Sequence, residues 1–174
     1  NSTSGDLVTA VNAIKSAYQP ASFIGMDGKG ASAIFRTTGN DCCHLILRGG
    51  DQSPNYYEDD VESARLLLEK EGLKPAIIVD CSHSNSRKNY ERQKRVLRSI
   101  IDQVCWGEKA IRGFMLESNL LPGCQKIPDD LANLKYGVSV TDACIGWDET
   151  QRILVHACEL LRKARLEGGS VQPL

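Results

Sequence analysis

The chain has 174 residues, the size of one globular domain, with 41% hydrophobic residues for a core and 25% charged residues for a solvated surface. Its 21 Lys and Arg nearly cancel its 22 Asp and Glu, leaving -1 at pH 7, which gives no ground for a nucleic-acid groove or a polybasic membrane anchor. No apolar run approaches the roughly 20 residues that span a bilayer, and Asn1-Ser2-Thr3-Ser4-Gly5-Asp6 is too polar for a signal sequence.

Residues 6–17 carry a helical rhythm, with Leu7, Val11, Ile14 and Ala17 toward one face and Ser4 or Asp6 as the cap. Residues 22–26 read as a short buried strand stopped by Asp27-Gly28-Lys29-Gly30, and residues 31–35 as another short apolar piece. The clearest strand is 43–47, closed by Arg48-Gly49-Gly50. A loop through Pro54-Asn55-Tyr56 leads into a helix over 58–71, with Val61, Ala64, Leu67 and Leu68 as its buried stripe and Gly72 as its stop. A buried strand over 76–79 follows, then a helix over 90–104 and a strand over 111–116. Turn residues crowd 118–138, which reads as a long loop beside the functional end. A last helix runs over 150–166, with Ile153, Leu154, Ala157, Leu160 and Leu161 on its apolar side. Strand, polar turn, helix and strand recur in order, the pattern of an α/β domain with parallel strands. Four strands are expected, near Phe23, Leu45, Ile78 and Phe114. A complete eight-stranded barrel needs about 250 residues, so there is material for roughly half of one, or for a small open sheet.

Ligands collect beyond the C-terminal ends of such strands, and that is where the chemistry-bearing residues fall. His83 follows one strand, Glu117 another, and Asp142 lies in a later loop. Together they make an N/O/O set suited to a divalent cation such as Mn, Fe, Co or Zn with positions open to substrate. Competing readings are a hydrogen-bonded loop histidine, a surface glutamate and a turn-capping aspartate. Arg48 offers a planar fork to a phosphate or carboxylate, and the glycines after it allow close backbone approach; a salt bridge before a flexible turn is the alternative. The seven cysteines are scattered without a CxxC pair, as expected of reduced thiols in a cytoplasmic protein. Because the chain opens on Asn1 rather than methionine, further sequence upstream is expected.

These phrases closely resemble the first-type family of 3-deoxy-D-arabino-heptulosonate-7-phosphate (DAHP) synthases. The resemblance rests on His44-Leu45-Ile46-Leu47-Arg48-Gly49-Gly50, Pro54-Asn55-Tyr56, Asp80-Cys81-Ser82-His83-Ser84-Asn85-Ser86, Gly107-Glu108-Lys109-Ala110-Ile111, Glu117-Ser118, and Tyr136-Gly137-Val138-Ser139-Val140-Thr141-Asp142-Ala143-Cys144-Ile145-Gly146-Trp147. It implies that residues 1–174 form the C-terminal half of a (β/α)8 TIM barrel, completed by an N-terminal half, a partner chain or self-association. It implies that His83, Glu117 and Asp142 are divalent-metal ligands beside an upstream cysteine, and that Arg48 contacts the phosphate of phosphoenolpyruvate. Lys29 stands near where the family carries a lysine-containing phrase and is the candidate for a further substrate contact. The activity implied is condensation of phosphoenolpyruvate with erythrose 4-phosphate, with the isolated half inactive. An inactive binding or assembly derivative is the alternative.

Overall fold

The computed structural model describes residues 1–51 and 53–167; the last seven residues of the expected 1–174 domain lie outside them. The fold is α/β. Helix α1 (Leu7–Tyr18) is capped by Asp6, whose carboxylate oxygens accept from the Val8 and Thr9 amides at 3.0 and 3.2 Å. The Thr9 hydroxyl also donates to Asp6, and this bond, ahead of the Val8 amide, holds the Asp6 carboxyl below its ordinary value. Ala10 and Val11 face the core, and α1 lies against strand β3.

Strands β1 (Ser22–Met26) and β2 (Ser32–Arg36) depart from the sequence expectation. They form an antiparallel pair of their own, separate from the main sheet, in the register Phe23↔Phe35 and Ile24↔Ile34. The piece read as a buried strand is exposed, with Ile24 81% and Met26 74% accessible. An apolar run of five residues fits a buried strand or a hairpin arm equally, and here the turn decides. The Asp27 carboxylate accepts from the amides of Lys29 and Ala31, both at 2.9 Å, and folds β2 back along β1.

The main sheet is parallel and has three strands rather than four, in the order β3 (Leu45–Leu47), β4 (Ile77–Asp80), β5 (Ile111–Met115). Helix α2 (Glu58–Lys70) joins β3 to β4, and α3 (Gln93–Cys105) joins β4 to β5. The last helix, α4 (Trp147–Leu166), packs against α3 and begins three residues before its sequence-expected start at 150. Leu45, Leu47, Ile77 and Val79 bury one face of the sheet among Val61, Ala64 and Leu68 of α2 and Val96, Leu97, Ile100 and Ile101 of α3. The alternate residues fare differently. Ile46 and Ile78, paired in register, are only half-buried, and Met115 is exposed. Parallel sheets are ordinarily covered on both faces; this one is well covered on one. Gly72, at φ +71°, ends α2 as expected, letting the Leu73 amide reach back to the Leu68 carbonyl at 2.9 Å.

Candidate metal centre

Strand β4 runs out at Asp80, and the chain then turns sharply enough to put His83 at φ +45°. For a residue with a Cβ that is an uncommon conformation, held only where the surroundings over-determine it. Here two contacts from Asp80 do so. One carboxylate oxygen accepts from the Ser82 amide at 2.8 Å, and the other meets His83 Nδ1 at 2.7 Å. Asp80 is nearly inaccessible, so its carboxylate is committed to these partners. An ionised carboxylate can only accept, so Nδ1 carries the imidazole proton and Nε2 presents its lone pair.

Nε2 faces Asp142, 3.7 Å from Oδ2. Ligand atoms of His83, Glu117 and Asp142 all lie within 4.8 Å of one another. Glu117 is carried just past β5 and is fixed through its backbone. Its amide donates to Gln93 Oε1 at 2.8 Å and its carbonyl accepts from Gln93 Nε2 at 3.0 Å, with Gln93 fully buried at the start of α3. The same carbonyl accepts from the Ile145 amide at 3.0 Å, and the Asn119 amide donates to the Ile145 carbonyl at 3.0 Å. These bonds lay the segment after Asp142 alongside the segment after Glu117. The long loop is thereby tied at both ends, with Gly123 and Cys144 exchanging backbone bonds of 2.9 and 3.1 Å.

The three sequence-chosen ligands therefore converge, although they come from three separate segments. Two carboxylates within such a span repel one another and gain from a cation between them, and with the imidazole nitrogen the donor set fits a divalent ion of the borderline or hard class. Asp142 remains open to solvent, with its side chain 68% exposed.

Arg48 stands at the end of β3 and is half-buried, without an ion-pair partner among the described residues. Its strand end is fastened to the His83 loop by Asn85, a buried residue that sequence reasoning did not single out. Asn85 Nδ2 donates to the Leu47 and Asp80 carbonyls at 3.1 and 2.8 Å, tying the ends of β3 and β4 together. Its Oδ1 accepts from the Asn55 amide at 2.8 Å, and Asn55 Oδ1 in turn accepts from Gly49 at 2.6 Å. Gly49, at φ +79°, leaves no room for a side chain, because a Cβ there would stand 2.6 Å from that of Ser84. Lys29 sits on the β1–β2 turn, where its amide donates to the Asp27 carboxylate at 2.9 Å. Asp80, Asn85 and Gln93 were the residues missed. Asp80 and Asn85 lie within the Asp80–Ser86 phrase that carries the resemblance, without a role assigned to either, and the signal for Gln93 is polarity where an apolar stripe would otherwise continue.

Cys81 is buried, and burial, with the Asp80 charge adding to it, pushes its thiol far above the ordinary range. It is packing rather than chemistry. No disulfide forms among the described residues, and none of their helices is long and apolar enough to cross a membrane.

Comparison with known proteins places this arrangement in context. The model of the DAHP synthetase I family matches residues 1–155. The chain is 45% identical over 166 residues to a putative phospho-2-dehydro-3-deoxyheptonate aldolase of Schizosaccharomyces pombe, covering 95% of this chain and 45% of that protein. It is 46% identical over 154 residues to the Tyr-sensitive phospho-2-dehydro-3-deoxyheptonate aldolase of Escherichia coli, covering 88% and 43%. A solved phospho-2-dehydro-3-deoxyheptonate aldolase from Francisella tularensis superimposes with a TM-score of 0.85 at 40% identity, over 92% of this chain and 46% of that one. The chain thus spans about half the length of the curated relatives it matches.

Proposed function

Because the chain belongs to the DAHP synthetase I family, we propose that it is the C-terminal half of a DAHP synthase, which condenses phosphoenolpyruvate with D-erythrose 4-phosphate and water to give DAHP and phosphate. The observation that carries this reading is the meeting of His83, Glu117 and Asp142 ligand atoms within 4.8 Å at the C-terminal end of a parallel sheet. The incompletely covered sheet face at Ile46, Ile78 and Met115 supports a half-barrel, with complementary strands supplied by a further half or by self-association. In this reading residues 1–174 are one partial barrel domain.

A divalent ion, Mn, Fe, Co or Zn, would be held by His83, Glu117 and Asp142 and would supply Lewis acidity toward the erythrose 4-phosphate aldehyde. The residues of this chain do the holding. His83 offers Nε2 because Asp80 retains the proton on Nδ1. Glu117 and Asp142 supply the negative charge that offsets a dication. Arg48, with no competing carboxylate among the described residues, holds the phosphoenolpyruvate phosphate through its planar fork and counters its charge. Lys29 is a secondary candidate for substrate contact, by its place in the sequence. Without the complementary half, turnover is expected to be absent even with metal added, because Arg48 and the metal ligands alone leave most of both substrates unheld.

The test combines metal analysis with phosphoenolpyruvate consumption on the same preparations, with and without a complementary N-terminal half. His83→Ala, Glu117→Ala and Asp142→Ala should lose metal and activity together. Arg48→Ala should weaken phosphoenolpyruvate use and keep its metal. Undiminished metal content after all three ligand substitutions would reject the ligand set.

A further inference from the structure

A second group of polar side chains lies beside the His83 loop, around Asn85. A recess of about 180 Å³ opens there, lined by Tyr56, Tyr57, Asn85, Arg87, Arg92 and Arg95 among others. No carboxylate is among its lining residues. None of the three guanidiniums is engaged by an ion pair or side-chain hydrogen bond among the described residues. Elsewhere in the chain Arg65, Arg98 and Arg152 are each matched to a carboxylate. Three arginines left unmatched in one concavity repel one another, and that arrangement gains most from an anion between them.

Two further features point the same way. Tyr57 is the N-cap of α2 and Arg92 the N-cap of α3, and the latter has no side-chain cap of its own. The positive end of α3 therefore borders the recess, while that of α2 is offset by Glu58, Asp59 and Asp60 in its first turn. The Tyr56 and Tyr57 hydroxyls lie 3.3 Å apart at its wall. Burial and the Tyr57 hydroxyl push the Tyr56 phenol up to about 12, against the charges of Arg95 and Arg87, which pull it down. The Tyr56 hydroxyl donates to that of Tyr57, which leaves the Tyr57 hydroxyl to donate into the recess, and both guanidinium charges reach the same wall.

The recess is smaller than the roughly 300 Å³ of the smallest drug-sized sites, a scale that suits one tetrahedral oxyanion. We propose that it is an anion subsite for a phosphate group, gripped by Arg87, Arg92 and Arg95 and distinct from the Arg48 contact. An occupant would reach the His83 loop through Arg87, one of two consecutive non-glycine residues at positive φ, +55° at Arg87 and +56° at Lys88. It would also lie against Asn85, the residue that ties the ends of β3 and β4. Occupancy thus stiffens the loop that presents His83.

The subsite stands apart from the proposed reaction and is tested in the full chain carrying Arg48→Ala, so that the Arg48 contact contributes nothing. Titration calorimetry with inorganic phosphate, at ionic strength held constant with sodium chloride, should show saturable binding at one site. Arg87→Gln with Arg95→Gln should weaken it about tenfold or more, and each single change should weaken it in part. The arginines are exposed, so these changes leave the core intact, and the single variants serve if the double variant folds poorly. Amide exchange at residues 85–89 should slow when phosphate is present. Absence of saturable binding, or equal binding by the glutamine variants, overturns the proposal.

Discussion

Asp80→Asn separates the role of the buried carboxylate from the fold around it. In the wild type one oxygen accepts from the Ser82 amide at 2.8 Å and the other from His83 Nδ1 at 2.7 Å, on a side chain only 5% exposed. An asparagine has one oxygen for two donors. If it keeps Ser82, its NH2 group faces Nδ1, which must then accept; the imidazole proton moves to Nε2 and the metal-binding lone pair is lost. If the amide turns to keep the histidine tautomer, its NH2 meets the Ser82 N–H, and leaving those buried donors unpaired costs about 1–3 kcal/mol. Loss of a negative charge next to a dication acts in the same direction. Metal affinity should therefore fall roughly 10–100-fold, about 1.4–2.7 kcal/mol, the range found when the partner of a ligating histidine is removed. The assay is calorimetric or fluorescence titration of the metal-free chain with Mn or Zn, beside circular dichroism to show that the fold survives. Unchanged affinity in a folded variant would refute the argument that Asp80 sets the imidazole tautomer.

Three other outcomes follow from buried groups. Gln93→Ala removes two hydrogen bonds to the Glu117 backbone and orphans the Glu117 amide, so urea unfolding should show a loss of about 2–4 kcal/mol; a loss below about 1 kcal/mol would show that water or relaxation replaces the clamp. Native alkylation followed by peptide mapping should label the exposed Cys42, Cys124 and Cys158 and spare Cys81 until the chain unfolds. The Cys81 thiol is raised by burial, so the unfolded chain ionises first; its contribution to stability is intact below the ordinary thiol value near about 8.5 and declines as pH rises above it. Stability that rose across that window with Cys81 present, relative to Cys81→Ala, would contradict this sign.

The local elements were legible because their signals are local. Asp6 before an apolar rhythm marks a capped helix, Gly72 after one marks its stop, and both stand where the sequence puts them. The strands at Leu45, Ile77 and Ile111 were equally clear, since each is a short apolar run between turn signals. The fate of Phe23 and Ile24 was not. Their run is as apolar as the others, and only pairing with β2 made it an exposed hairpin arm. The candidate ligands were named from strand-end position and from resemblance, but nothing in the spacing of His83, Glu117 and Asp142 says that they meet. Their meeting depends on long-range bonds: Gln93 to Glu117, Ile145 to Glu117, and Asn85 to Leu47 and Asp80. The sequence by itself determined the α/β class, the helices and the polar residue at each strand end, because periodicity and capping act over a few residues. Tertiary structure alone decided which strands share a sheet, which imidazole nitrogen faces Asp142 and which arginines gather at one recess, because each depends on groups brought together across long stretches of chain.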